Sequence, residues 1–186
     1  MFLFPCSLRF FFFFWLRQCL NNLKVIDLSN CRFFAKTPNF SGLPSLERLI
    51  LENCGSLADI HQSVGELKKL VFLNLKGCGR LKKLPESISE LKSLETMNLE
   101  RCGSLEKLPE QLGNMQVLTD LLLNGTYVQQ LPSSTGILKK LKKLLVRRGP
   151  LLTPMSPPSS EELVIKQERQ PSSKSDNLSC HPPSLV

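Results

Sequence analysis

"LVFLNLKGCGRLKKLPESISELKSL", residues 70–94, carries two periodicities in succession. Its opening L-x-x-L-x-L alternates apolar and polar with period two, the mark of a short strand. Its second half spaces apolar residues three and four apart, which is helical, but Pro85 forbids a long helix. Between the halves Cys78 lies between Gly77 and Gly79, walled by Lys76, Arg80, Lys82 and Lys83. Taken alone, that thiol is open to four readings: a low-pKa nucleophile, a metal ligand, half of a disulfide, or packing.

The neighbouring sequence decides among them. The first nine residues of the stretch recur as "LKVIDLSNC" from 23, "LERLILENC" from 46, "LETMNLERC" from 94, "LTDLLLNGT" from 118 and "LKKLLVRRG" from 141. Successive starts are 23 or 24 residues apart. Such a period marks a repeat architecture of the leucine-rich type. Leucines at places one, four and six of each unit point inward, and places two, three, five and seven face out. The second halves, 57–70, 81–94 and 105–118, share apolar positions at 1, 4, 8, 11 and 14. An extended turn at Leu-Pro is expected there, then a short helical or 3-10 turn near "GELKKL" and "SELKSL". No unit buries its leucines alone, so stacking supplies the core and about three repeats are the minimum. The expected fold is therefore an α/β leucine-rich-repeat solenoid of about six repeats. It is a curved horseshoe with parallel strands on the concave face and short turns on the convex one.

Within that frame Cys31, Cys54, Cys78 and Cys102 hold one place in four successive repeats, with Thr126 and Gly149 following. Strands lie about 4.8 Å apart, so four thiols form a column roughly 14 Å long, whereas zinc holds its sulfurs at about 2.3 Å from one point. One metal cannot collect them. Adjacent Cα atoms fall in the disulfide range, but parallel in-register side chains disfavour bridges. The place also accepts Thr and Gly, so its requirement is small size. The column is read as structural: buried free thiols capping the strand-to-turn bend, with weak S–H donors meeting backbone carbonyls. In the opening stretch the glycines make the bend and the lysines face solvent.

Composition agrees with a globular chain of 186 residues, 41% hydrophobic and 22% charged. The formal net charge of +8 is unevenly spread. Residues 23–149 hold 19 basic and 12 acidic side chains, and six of the basic ones fall between Lys139 and Arg148. Residues 23–138 are therefore near neutral, unlike a nucleic-acid binder. The basic run 138–148 keeps the repeat register and is read as a solvated final strand and turn rather than a nuclear signal or phosphate patch. Seven cysteines without a C-x-x-C argue against a disulfide framework or zinc ribbon.

Three segments result: 1–20, 21–149 and 150–186. Residues 1–20 hold seven of the eleven phenylalanines, interrupted by Arg9. They lack a basic leader and a small-residue cleavage site, and are short for a membrane span. Phenylalanine codons are T-rich, so the run is read first as an artefact of gene prediction, and second as a weak signal or anchor. Residues 150–186 are rich in Pro and Ser and poor in apolar groups, the composition of a disordered tail.

"TPNFSGLPSLERLILENCGSL" (37–57), "IHQSVGELKKLVFLNLKGC" (60–78), "LPESISELKSLETMNLERC" (84–102) and "NGTYVQQLPSS" (124–134) resemble the repeat region of one plant family. It is that of the intracellular TIR–nucleotide-binding–LRR disease-resistance receptors, the tobacco mosaic virus resistance protein N class. The resemblance covers about residues 23–146. It implies a cytoplasmic or nucleocytoplasmic module that recognises pathogen effectors or guarded host proteins and folds back on the receptor's nucleotide-binding domain. No TIR domain precedes the repeats and no G-x-x-x-x-G-K-[ST] is present, so the chain reads as a fragment, truncated product or detached paralogue without a nucleotide cofactor.

The default binding surface of a solenoid is its concave strand face. Its outward places give Arg48, Ile50, Val71, Phe72, Asn74, Thr96, Asn98, Asp120, Leu122, Lys143 and Leu145 as candidate protein-binding residues. Glu52, Lys76 and Glu100 alternate in sign at place seven and are read as cross-strand pairs. No nucleophile–base pair, paired carboxylates or phosphate loop can be assembled, so enzyme chemistry, metals and cofactors are not expected. His61 takes the proline place of the turn and is read as a turn residue. The expected partner is a protein, with neither nucleic acid nor membrane, and the chain is expected to be monomeric. Two alternatives remain: an extracellular receptor-like repeat protein, favoured by sequons at Asn39, Asn124 and Asn177, and an intracellular scaffold outside immunity. Free buried cysteines and L-x-x-L-P in place of N-x-L-x-G-x-I-P speak against the first.

Overall fold

The computed structural model describes residues 21–146. The Phe-rich segment 1–20, the tail 150–186 and the end of the basic run lie outside the described residues. Six strands follow one another: β1 Val25–Asp27, β2 Arg48–Ile50, β3 Phe72–Asn74, β4 Thr96–Asn98, β5 Asp120–Leu122 and β6 Lys143–Leu145. They form one open parallel sheet in sequence order. Each residue pairs with its counterpart one repeat on, as in Arg48↔Phe72, Phe72↔Thr96 and Thr96↔Asp120.

Strands of three residues are shorter than the roughly five-residue strands that span the expected face, yet the backbone ladder outruns them. Thr96 N donates to Val71 O at 3.1 Å before the strand, and Leu75 N to Asn98 O at 2.8 Å and Gly77 N to Glu100 O at 2.8 Å after it. Hydrogen bonding therefore runs from place two to place eight, and the strands proper occupy its middle.

Place four (Ile26, Leu49, Leu73, Met97, Leu121, Leu144) is buried in all six repeats and place six (Leu28, Leu51, Leu75, Leu99, Leu123) in the first five, with Val146 half-buried in the last. The opposite wall is built from Val64, Leu67, Ile88, Leu91, Leu112, Met115 and Leu138. Each fully buried side chain of this kind contributes roughly 1.5–3 kcal/mol. A one-residue slip would turn every place-four and place-six side chain outward, so the apolar pattern itself sets the register.

The 3-10 segments, Gln62–Glu66, Glu86–Glu90, Leu112–Asn114 and Ser133–Ile137, come earlier than the expected "GELKKL" and "SELKSL" turns. The extended backbone of His61 (ψ 138°) and Pro85 (ψ 146°) opens them directly after the Leu-Pro place. Leu67, Leu91 and Met115 close them with ψ of 67–80°. The apolar spacing of three and four is thus satisfied by one tight turn and a reversal rather than by a longer helix. Repeats stack closely here: a Cβ at Gly65 would lie 2.8 Å from Ser87 Cβ and against the Ser87 carbonyl. The first repeat has no such segment, and Phe40 and Leu43 fill its back wall.

The bend after each strand uses a left-handed residue at place eight: Asn30 (φ 60°), Asn53 (56°), Gly77 (75°), Arg101 (58°) and Gly125 (74°). Of the two glycines beside Cys78, only Gly77 makes the bend. Gly79 has no positive φ, and a Cβ there would meet open space.

Candidate functional site

Every outward strand residue named above lies on one face, aligned by the parallel register. At place three, Val25, Arg48 and Lys143 are exposed while Phe72, Thr96 and Asp120 are half-buried. At place five, Ile50, Asn98, Leu122 and Leu145 are half-buried, as is Val71 at place two. The apolar members are thus embedded among their neighbours rather than standing free. Asn74 is buried, at 8% exposure.

Hydrogen bonds account for the asparagines. Asn74 Oδ1 accepts from Lys76 N at 3.0 Å and its Nδ2 donates to Glu52 at 3.2 Å. Asn98 Oδ1 accepts from Glu100 N at 3.0 Å, and Asp27 plays the same part toward Ser29 N at 2.9 Å. These side chains hold the turn into place seven, a local competition that short polar groups perform well. Ile50 and Leu122, at the same place in β2 and β5, leave apolar surface instead.

Two ion pairs cancel part of the charge on the face. Lys24 meets Glu47 at 2.9 Å and Lys76 meets Glu52 at 3.8 Å. The alternation at place seven is realised once: Glu100 accepts from Asn124 Nδ2 at 3.4 Å rather than binding Lys76. Such half-exposed pairs contribute about 0–1 kcal/mol each and keep the sheet soluble. Arg48 behaves differently, its guanidinium stacking 4.2 Å above the Phe72 ring centroid. Reading the repeats in columns places Arg48 and Phe72 side by side; only the side-chain rotamers create the stack.

Cys54, Cys78 and Cys102 are buried free thiols. Cys54 Sγ donates to Leu28 O at 3.2 Å, Cys78 to Leu51 O at 3.1 Å and Cys102 to Leu75 O at 3.1 Å. Each thiol therefore ties its repeat to the place-six carbonyl of the repeat before. Burial pushes the Cys102 thiol up to about 12, partly opposed by a backbone hydrogen bond involving Cys78. Cys78 is raised above its ordinary value by its side-chain hydrogen bond with Cys54, by burial and by the neighbouring thiols. Both shifts disfavour the thiolate and, with burial and the hydrogen bonds to carbonyls, speak against the reactive reading of Cys78. Cys31 departs from the free-thiol expectation, because it is disulfide-bonded.

His61 serves the turn: its Nδ1 accepts from Ser63 N at 3.2 Å, and its backbone N donates to Thr37 Oγ1 at 2.8 Å. Among the described residues no three His, Cys, Asp or Glu side chains converge to hold a metal. No described helix is long and apolar enough to cross a membrane.

Known proteins match parts of the chain. The Leucine Rich Repeat family model matches residues 22–43. Disease resistance protein RPV1 of Vitis rotundifolia is 56% identical over 50 residues, which are 27% of this chain and 4% of that protein. TMV resistance protein N of Nicotiana glutinosa is 39% identical over 54 residues, 29% of this chain and 5% of the relative. The chain thus spans only a small fraction of the length of these relatives. Among solved structures, the leucine-rich repeat domain of the type III effector XopL is 27% identical with a TM-score of 0.49, covering 56% of this chain and 36% of that one.

Proposed function

We infer that this chain, a leucine-rich-repeat protein whose repeats are similar to those of plant disease resistance proteins, is a recognition segment of an intracellular immune receptor. Its strand face engages a protein, either a pathogen effector, a guarded host protein or the receptor's own nucleotide-binding domain. The observation that carries this reading is the strand face itself. Half-buried apolar side chains stand in register there among polar and charged ones, and the buried thiols and turn residues behind them hold the shape. An apolar centre with a polar surround is the composition of a protein interface. The similarity to RPV1 and to protein N supports the cytoplasmic immune setting over an extracellular receptor-like protein.

Six strands about 4.8 Å apart, each presenting some five residues, offer roughly 400 Å² in projection. A standard interface buries about 800 Å² per partner. The face therefore serves as part of a larger contact surface. The test is chemical cross-linking and capture from plant tissue extract with the full chain, its Thr96→Arg variant and a Lys69→Glu control in the turn before β3. Partners lost with Thr96→Arg and kept with Lys69→Glu support the reading. Partners indifferent to Thr96→Arg sink it.

A further inference from the structure

We propose that the β2–β3 part of the strand face is a subsite for a protein segment presenting a carboxylate next to an apolar side chain. This deepens, and rests on, the reading of the strand face as the recognition surface. Three cations stand on the face along β1–β3: Lys24, Arg48 and Lys76. Lys24 is held by Glu47 at 2.9 Å, and Lys76 by Glu52 at 3.8 Å, which also takes a hydrogen bond from Asn74. Both carboxylates closest to Arg48 in sequence are thereby engaged, and Arg48 forms no ion pair with any described residue.

Its guanidinium instead lies 4.2 Å over the Phe72 ring. Stacking restrains the side chain and leaves its in-plane N–H edge available, and that planar fork matches a carboxylate bidentately. Phe72 and Ile50 beside it are half-buried, so they form an apolar floor whose position is set by the sheet. The Lys24–Glu47 pair lies on the entry side of this floor and the Glu52–Lys76 pair on the exit side, each already neutralised. An apolar centre with one preorganised, unsatisfied arginine inside a satisfied polar rim is the arrangement of an interface anchor. On β4 and β5 the charge is opposite: Glu95 and Asp120 have no ion pair with any described residue. An acidic segment is thus drawn to β2 and kept off β4 and β5, and Lys143, exposed on β6, offers neither the planar fork nor a stack on a described ring.

The test is selection of displayed random dodecapeptides on the immobilised full chain. Affinities are then measured for wild type and for Arg48→Ala, Arg48→Lys, Phe72→Ala and Leu122→Arg, each checked by circular dichroism for an unchanged fold. The expected result is recovery of peptides with Asp or Glu adjacent to an aromatic or aliphatic residue. Arg48→Ala should weaken them at least tenfold. Arg48→Lys should weaken them several-fold, since lysine keeps the charge but loses the fork and the stack. Peptides without acidic enrichment, or indifferent to Arg48→Ala, overturn the proposal; if Leu122→Arg still abolishes their binding, the strand-face reading survives. Peptides indifferent to all four substitutions overturn both, and recovery of no peptide above background overturns the subsite.

Discussion

Place eight of the repeat offers a paired test of how the bends are built. Gly77 has φ 75° and Arg101, one repeat on, has φ 58°. An L-residue in the left-handed region costs about 1–2 kcal/mol relative to its ordinary conformations. Gly77→Ala introduces that cost and directs a Cβ at Asn53 Oδ1, the end of a side chain that can swing aside. The conformational term dominates, and the loss should be about 1–2 kcal/mol. Arg101→Gly removes the same strain but frees the unfolded chain by about 0.5–1 kcal/mol. The net should be a gain of about 0.5–1 kcal/mol, although a charged side chain has been deleted. For a domain of this size 1 kcal/mol corresponds to about 4 °C in Tm. Urea denaturation of both variants beside wild type, followed by circular dichroism, gives the shifts in midpoint at constant slope. Destabilisation by Arg101→Gly, or neutrality of Gly77→Ala, would refute the assignment of this place to the left-handed bend.

Three further outcomes are expected. Cys54, Cys78 and Cys102 should resist a thiol reagent in native buffer and react together on unfolding; rapid native labelling of any of them contradicts their burial and hydrogen bonding. Because the Cys102 thiol is raised from 9.0 to about 12 in the folded protein, its contribution to stability is complete below pH 9. It is then lost as pH climbs toward 12, by about 1.4 kcal/mol per pH unit. A wild-type urea midpoint that falls no faster than that of Cys102→Ala between pH 9 and 10.5 would contradict this. Gly65→Ala should cost about 1–3 kcal/mol by overpacking, because the backbone carbonyl of Ser87 cannot yield, whereas Gly79→Ala should change stability by less than about 0.5 kcal/mol. Equal effects of the two, measured by thermal unfolding, would refute the close stacking of the 3-10 segments.

Much of this protein was legible because a repeat states its rule several times. Leu73 alone is ambiguous, but Leu49, Leu73, Met97 and Leu121 at one place in consecutive units admit only an inward column. The strand face was legible for the same reason, since period-two alternation assigns each side chain to a side before any coordinate is known. The fate of the Cys78 thiol also followed from its column, as small size was all that Cys, Thr and Gly share.

Other features arise only in three dimensions. The 3-10 segments moved toward the Leu-Pro place because backbone conformation at His61 and Pro85, rather than apolar spacing, decides where the turn opens. Nothing in the strand pattern separates Asn74, buried and doubly hydrogen-bonded, from half-buried Asn98 at the same place, because the extra bond depends on Glu52 of the preceding repeat. Cys31 shares its column's spacing but not its free thiol, since it is disulfide-bonded, which the repeat pattern does not show. Arg48 is one more outward charge in the sequence; its stack on Phe72 and its lack of a carboxylate depend on which neighbours captured Glu47 and Glu52. Periodicity alone thus determined the layers, the register and the inward columns, since one apolar rule applies to every repeat. The tertiary structure decided which outward groups remain unsatisfied, since competition among neighbouring side chains is settled only when the repeats are stacked.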